Sequence, residues 1–393
     1  MTAIAGMRGT GDWATDERPK NFREMILWRN PNGSAPLTAF MSKMKAESVD
    51  DPELNWWEEE LNAVRVQIGG TGLSATSTAL DLASGGLDLV PGDILLVEKT
   101  EVASYNNELL EVSSITSDTA IVVKRGAANT TAAATGTNAY LTKIGNTYEE
   151  GSTSPDATTR NPNKVTNYAQ IFKTAYEITE TAKLTRTRTG DPLKNDRKRR
   201  MFDHSTALEL AWMFGVPYED TSGTKPKRFT GGLRHFITTN VTIFTTSPTE
   251  ATFLEALYPV FDYDAGTAGT ERIVLAGNGF LNNLNLLAKD SSSTRINFDG
   301  VIKVYGMQLQ RWILPQGTLY VRTHPLMNTH GRFKNSAFVI DPSAIIYRYI
   351  RDTKPQNNIQ APDADEEKGQ WLTEAGLEIR HEKTMAYIGN FVI

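Results

Sequence analysis

The stretch "VRVQIGGTGLSATSTAL", beginning at Val64, is the first whose residue types and spacing could do chemistry. Gly70, Gly72 and Ala75 give G-x-G-x-x-A after a strand-like run. A glycine turn of this kind cradles a pyrophosphate when a helix follows it and an acid closes the unit about 20 residues on. Here the following residues are mostly Ser, Thr, Ala and Gly, and the next strand-ending acid, Glu98, is 26 residues beyond Gly72. The five histidines, His204, His235, His324, His330 and His381, form no H-E-x-x-H, because His381-Glu382 lacks the second histidine. There is no G-x-S-x-G and no G-x-x-x-x-G-K-[ST]. The acidic pair Glu149-Glu150 and the run Asp363 to Glu367 sit in loop-like sequence, and "DADEEKG" is too loose for a calcium loop. No catalytic residue, cofactor site or metal site is expected from these patterns.

One charged stretch stands out. Lys183, Arg186, Arg188, Lys194, Arg197, Lys198, Arg199 and Arg200 crowd into eighteen residues against only Asp191 and Asp196. Arg197, Lys198, Arg199 and Arg200 are candidate contacts for phosphates or for an acidic surface on another subunit. The alternative is a solvated helix face with local ion pairs. Its most basic part has no interleaved aromatic residue, which argues against stacking on single-stranded bases.

The elements that must position these residues come next. The 393 residues exceed what one hydrophobic core usually serves, so at least two domains are expected. Hydrophobic content of 39% and charged content of 22% fit a soluble protein, and a net charge of −5 offers no general attraction to nucleic acid or acidic membranes. There is no cysteine, so disulfides, thiolate nucleophiles and cysteine-held zinc are excluded, which fits a reducing cytosol. The opening residues lack the apolar core of a signal peptide, and no run approaches the ~18 apolar residues of a membrane span.

From Val64 to about Ile144, "VRVQI", "DILLVE", "ELLEVSSI" and "TAIVVKR" predict a small all-β unit. Residues 145 to 163 contain almost no large apolar side chain, and so long a loop is uncommon unless it is functional or extended. Asp191 as N-cap, Pro192 at the first position and Gly215 with Pro217 as the stop predict a helix over 192–214, about 35 Å long. Further on, Ser247 to Glu250 reads as a capping box before a helix carrying Phe253, Leu257 and Phe261. "RIVLAG", "TLYVR" and "SAFVID" read as strands. The mixture lacks steady βαβ alternation, so the fold class is α+β.

Two features point to assembly. Four of the seven tryptophans lie in the first 57 residues, Trp13, Trp28, Trp56 and Trp57, in a segment broken by "NPNG". Short helices there can bury such side chains, at ~1.5 to 3 kcal/mol each, only by docking elsewhere. The long polar stretch beside the β unit could reach a neighbour.

The pattern "RPKNFREMILWRNPNGSAPLTAFMSKMKAESVDDPELNWWEE" resembles the N-terminal region of major capsid proteins of tailed bacteriophages. The likeness continues in "NYAQIFKTAYEITETAKLTRTRTGDPL", "TGGL", "LAGNGFLNNLN" and "TEAGLEIRHEKTMAYIGN", and the β unit is its least recognisable part. The resemblance implies a Hong Kong 97-type subunit. Its parts would be an N-terminal arm (1–60), an extended E-loop carrying the β insertion (61–166), a peripheral domain with a long spine helix (167–235), an axial domain (236–343) and a return to the peripheral domain (344–393). It implies self-association into hexamers and pentamers of an icosahedral head around double-stranded DNA, bound without sequence preference. The implied setting is the virion capsid, assembled in the host bacterial cytoplasm without membrane attachment. Portal, scaffolding and cement proteins are the other implied partners. Trp13, Phe22 and Trp28 in the arm, and Tyr148, Glu149 and Arg160 in the extended loop, are the expected inter-subunit contacts. Two other readings are a nucleotide-binding enzyme built on the Gly70-Thr71-Gly72 turn and a carbohydrate- or surface-binding β module.

Overall fold

A computed structural model describes residues 45–392 apart from 60–63, 99–106, 156, 158, 160, 188–189, 264–270, 291–297 and 305–306, and between 288 and 309 it describes backbone alone. The chain forms two compact units, one of residues 1–56 with 164–393 and one of residues 57–163.

The 57–163 unit is a small β-barrel. Six strands follow the order Arg65–Gln67, Tyr140–Asn146, Asp93–Val97, Leu109–Ser117, Ala120–Lys124 and Ala79–Asp81. The outer two meet through the Ile68–Leu82 bridge, and the Gly69 and Ala83 amides donate to the Asp81 and Gln67 carbonyls at 2.8 and 2.9 Å. The ring therefore closes, and closure removes the unpaired edges that invite other strands. Alternation puts Leu95, Val97, Leu110, Val112, Ile121 and Val123 inside.

A buried ion pair ties the barrel's loops. Arg125 sits fork to fork on Glu108 at 2.6 and 2.7 Å, with side chains 9% and 0% exposed. Arg125 also donates to the Ser77 and Ala133 carbonyls, and Glu108 accepts from the Ala133 and Gly126 amides. Burial pushes the Glu108 carboxyl upward, but Arg125 and these amides outweigh it and hold it below the ordinary carboxylate range.

In the other unit a seven-stranded mixed sheet runs Val241–Ile243, Ala386–Gly389, Ala337–Ile340, Glu271–Ala276, Thr318–Thr323, Met307–Ile313 and Phe298–Val304. Both its faces are covered. Val274 and Ala276 pack with Phe253, Leu257 and Phe280 from the helices Glu250–Leu257 and Asn278–Asp290. Ile273 and Leu275, alternate residues of the same strand, face a second core with Leu208, Trp212 and Met213 of the helix Pro192–Phe214. This is why "IVLA" reads as an unbroken apolar run. A four-stranded sheet of Ala46–Ser48, Ile345–Gln356, Glu366–Ile379 and Gln170–Thr179 completes that core. The described residues thus form an α+β fold.

Two local expectations change. The helix at 250 is capped by Thr249, whose hydroxyl accepts from the Thr252 amide while its own amide donates to the Thr252 hydroxyl, and not by Ser247 with Glu250. The last half of "DADEEKG" is strand, because Glu366 begins the 14-residue strand that pairs with Gln170–Thr179.

Candidate interaction surfaces

The Pro192–Phe214 helix has the limits its sequence predicts. The Asp191 carboxylate accepts from the Leu193 and Lys194 amides at 3.0 and 3.3 Å, and the Gly215 amide closes the last turn on the Ala211 carbonyl at 2.8 Å. "TGGL" locks this end. A Cβ on Gly232 would lie 2.7 Å from the carbonyl oxygens of both Ala211 and Trp212, so only glycine allows the approach. Burial on the helix begins at His204. That imidazole lies between the Thr174 and Thr373 hydroxyls at 3.1 and 2.8 Å, and burial holds its pKa below the ordinary histidine value. Glu209 meets His324 Nε2 at 2.7 Å with both side chains fully buried, beyond the reach of any substrate. No sequence signal links these partners; His204 and Thr373, and Glu209 and His324, are more than a hundred residues apart.

The first three turns carry the basic cluster. Lys194, Lys198, Arg199 and Arg200 are exposed and Arg197 is half-buried. Arg199 and Arg200 pair with Asp196 and Asp203 on the same helix at 3.9 and 3.3 Å. The Arg197 guanidinium lies 5.5 Å from the Trp371 ring centre, and Trp371 Nε1 donates to the Arg197 carbonyl at 3.3 Å. Lys183 meets Glu367 at 2.8 Å.

Every described residue from Ile144 to Lys164 is exposed, and none between Thr147 and Pro162 belongs to a helix or strand. Tyr148 is anchored to its own barrel: its hydroxyl donates to the Pro91 carbonyl at 3.2 Å, and its ring lies where a Cβ on Gly92 would go. Glu149 is exposed. Trp13, Phe22, Trp28 and Arg160 lie outside the described residues. Residues 46–58 dock on the chain's own body. Ala46–Ser48 runs parallel to Ile345–Gln356, and Leu54 and Trp56 turn inward, with Trp56 5.7 Å from the Phe236 ring centre. Trp57, the next residue along the strand, is 65% exposed.

The glycine turn does not make a phosphate cradle. No helix follows it, the Gly69, Gly72 and Leu73 amides are bonded to the Asp81, Gly69 and Thr135 carbonyls, and a Cβ on Gly72 would strike the Thr135 carbonyl at 2.7 Å. Glu98 is held by Arg65 at 2.6 and 2.8 Å, and that guanidinium keeps its carboxyl below the ordinary range. The glycines serve loop packing. A groove of about 230 Å³ between Leu254, Tyr258, Phe261, Trp312 and Leu314 is apolar apart from Glu250 and Gln316. Among the described residues no group of three His, Asp or Glu could hold a metal, and no helix is long and apolar enough to cross a membrane.

The family model of the SU10 major capsid protein matches residues 6–391. The chain belongs to that family. The major capsid protein of Pseudomonas phage PaMx41 is 27% identical over 374 residues, covering 91% of this chain and 85% of the relative. Among solved structures, that of Microbacterium phage Oxtober96 aligns with a TM-score of 0.49 at 10% identity over 96% of each chain. The capsid of a native GTA particle gives 0.47 at 8% identity over 98% of each. The function is that of a major capsid protein of a phage, a structural component of the virion shell.

Proposed function

We propose that this capsid protein tiles an icosahedral head as hexamers and pentamers around double-stranded DNA, without enzymatic activity of its own. The observation that carries the reading is the family match, which runs through both units and leaves only the chain ends outside. A capped 23-residue helix beside a two-sided sheet, with a separate barrel inserted at residues 57–163, supports a Hong Kong 97-type division into arm (1–60), E-loop (61–166), peripheral domain (167–235 and 344–393) and axial domain (236–343). The arm and the exposed 144–164 stretch are the segments that reach neighbouring copies, through Trp13, Phe22, Trp28, Tyr148, Glu149 and Arg160. Repeated contacts between unlike patches close into rings when the rotation closes. Portal, scaffolding and cement proteins complete the head, and assembly takes place in the host cytoplasm, with no membrane step.

Negative-stain electron microscopy of the protein expressed alone or with its neighbouring head proteins tests this. Closed shells are expected; a monodisperse monomer at high concentration under both conditions overturns it. Trp28→Ala is expected to lower shell yield in sedimentation while leaving the subunit's thermal melting within a few degrees of the parent, consistent with ~0.5 kcal/mol or less.

A further inference from the structure

The first turns of the long helix carry a dense cluster of cations. Five cations, Lys194 and Arg197 to Arg200, lie among its first nine residues, with Asp196 the one acid there and no acid in the first turn. The N-terminal end of a helix bears partial positive charge, so Lys194, in the first turn, is disfavoured there. Nor do the five cations form one wet stripe. At roughly 100° per residue, Lys198, Arg199, Arg200 and Arg197 stand about 40°, 140°, 240° and 300° from Lys194, nearly a full circle. A helix lying on its own core turns cations to one side only; this segment has no buried residue before His204. Its position is nevertheless fixed, by the Asp191 cap and by the Trp371 bond to the Arg197 carbonyl.

We infer that this helical segment, Lys194 to Arg200, is a binding surface for the phosphate backbone of duplex DNA. The inference rests on the capsid reading, which supplies the DNA. The charges are complementary: four exposed cations, Lys194, Lys198, Arg199 and Arg200, stand on this segment against the single acid Asp196, and duplex DNA is a dense array of negative charge. The ion pairs of Arg199 with Asp196 and Arg200 with Asp203 are exposed and weak, and phosphates can replace them. A chain with net charge −5 offers DNA no general attraction, so contact needs a local excess of cations such as this one. Phosphate contacts alone carry no sequence preference.

The test is fluorescence anisotropy of a labelled duplex of arbitrary sequence, titrated with the full unassembled chain at 50 and 200 mM salt. The parent is compared with the quadruple variant Lys194→Gln, Lys198→Gln, Arg199→Gln, Arg200→Gln. All four side chains are exposed, so thermal melting serves as the folding control. The parent is expected to bind, more weakly at the higher salt. The variant is expected to lose at least ~10-fold in affinity at 50 mM and to flatten the slope of log K against log salt by about 3 to 4. No binding by the parent at 50 mM, or equal affinity and slope for both, overturns the inference. So does a variant that binds DNA normally but no longer forms shells, because an acidic surface of a neighbouring copy is then the partner. Shell formation by the parent is scored separately by electron microscopy. DNA binding that depends on these cations in a chain that never forms shells sinks the assembly reading and not this one.

Discussion

Glu108 shows how much one buried charge can hold. It has no motif around it, yet it joins the barrel's 73–77 and 126–133 loops through Arg125. Glu108→Gln leaves the Arg125 cation buried without a counter-charge and is expected to destabilise the barrel by about 3–5 kcal/mol. Replacing both partners together, Glu108→Leu with Arg125→Met, is expected to recover most of that loss. Amide hydrogen exchange in the barrel strands separates the outcomes, and equal protection in the single variant and the parent would refute the role. His204 gives a pH effect at the same scale. Its folded pKa lies below the unfolded value because burial penalises the imidazolium. Well above about pH 6.5 both states are neutral. As pH falls below that value the unfolded chain takes up a proton that the folded chain refuses. Stability must therefore decline, by up to ~1.4 kcal/mol per pH unit for this one group. His235 is shifted the same way by burial. His204→Gln is expected to make the decline in stability below about pH 6.5 shallower, read from urea midpoints at fixed pH steps.

At the scale of elements, what the sequence made legible was whatever local chemistry determines. Asp191-Pro192 and Gly215 fix the long helix because caps and proline act within a turn of their own position. Asp191→Ala is expected to cost about 1 kcal/mol in thermal or urea melting. "RIVLAG" and the barrel strands are legible because alternation and β-branching mark a pleated surface. The closing of the barrel was not, because the Ile68–Leu82 bridge is a long-range pairing that no local pattern encodes. Nor was the true cap at Thr249, since Ser247 and Thr249 offer the same hydroxyl two residues apart. The glycine turn misled for a physical reason. A tight turn and a phosphate cradle need the same residue, and only the element that follows tells them apart. Trp56 and Trp57 could not be sorted from type alone; strand alternation sends one inward to Phe236 and the other out. Close approach makes its own demand at "TGGL". Gly232→Val would push branched carbons into two helix carbonyls, and a loss of about 1–3 kcal/mol in melting experiments is expected.

For the whole molecule, apolar side chains that stand exposed among the described residues matter most. Leu184 is 83% exposed, at the end of the short helix Glu180–Leu184 and close in sequence to the basic cluster. Among the described residues little packs on it, so Leu184→Ser is expected to leave subunit melting within about ±0.5 kcal/mol of the parent. Assembly responds differently, because a contact made by one copy is repeated by every copy. Covering a leucine is worth ~1.5–3 kcal/mol per contact, and each 1.4 kcal/mol is tenfold in an equilibrium constant. If Leu184 is covered by a neighbouring copy, the protein concentration at which shells appear should rise by roughly tenfold to a hundredfold. Light scattering against concentration, for parent and variant at one salt, measures that threshold. An unchanged threshold places Leu184 on a face that stays wet in the finished head. A raised threshold with unchanged melting means that the area is buried between copies and not within one.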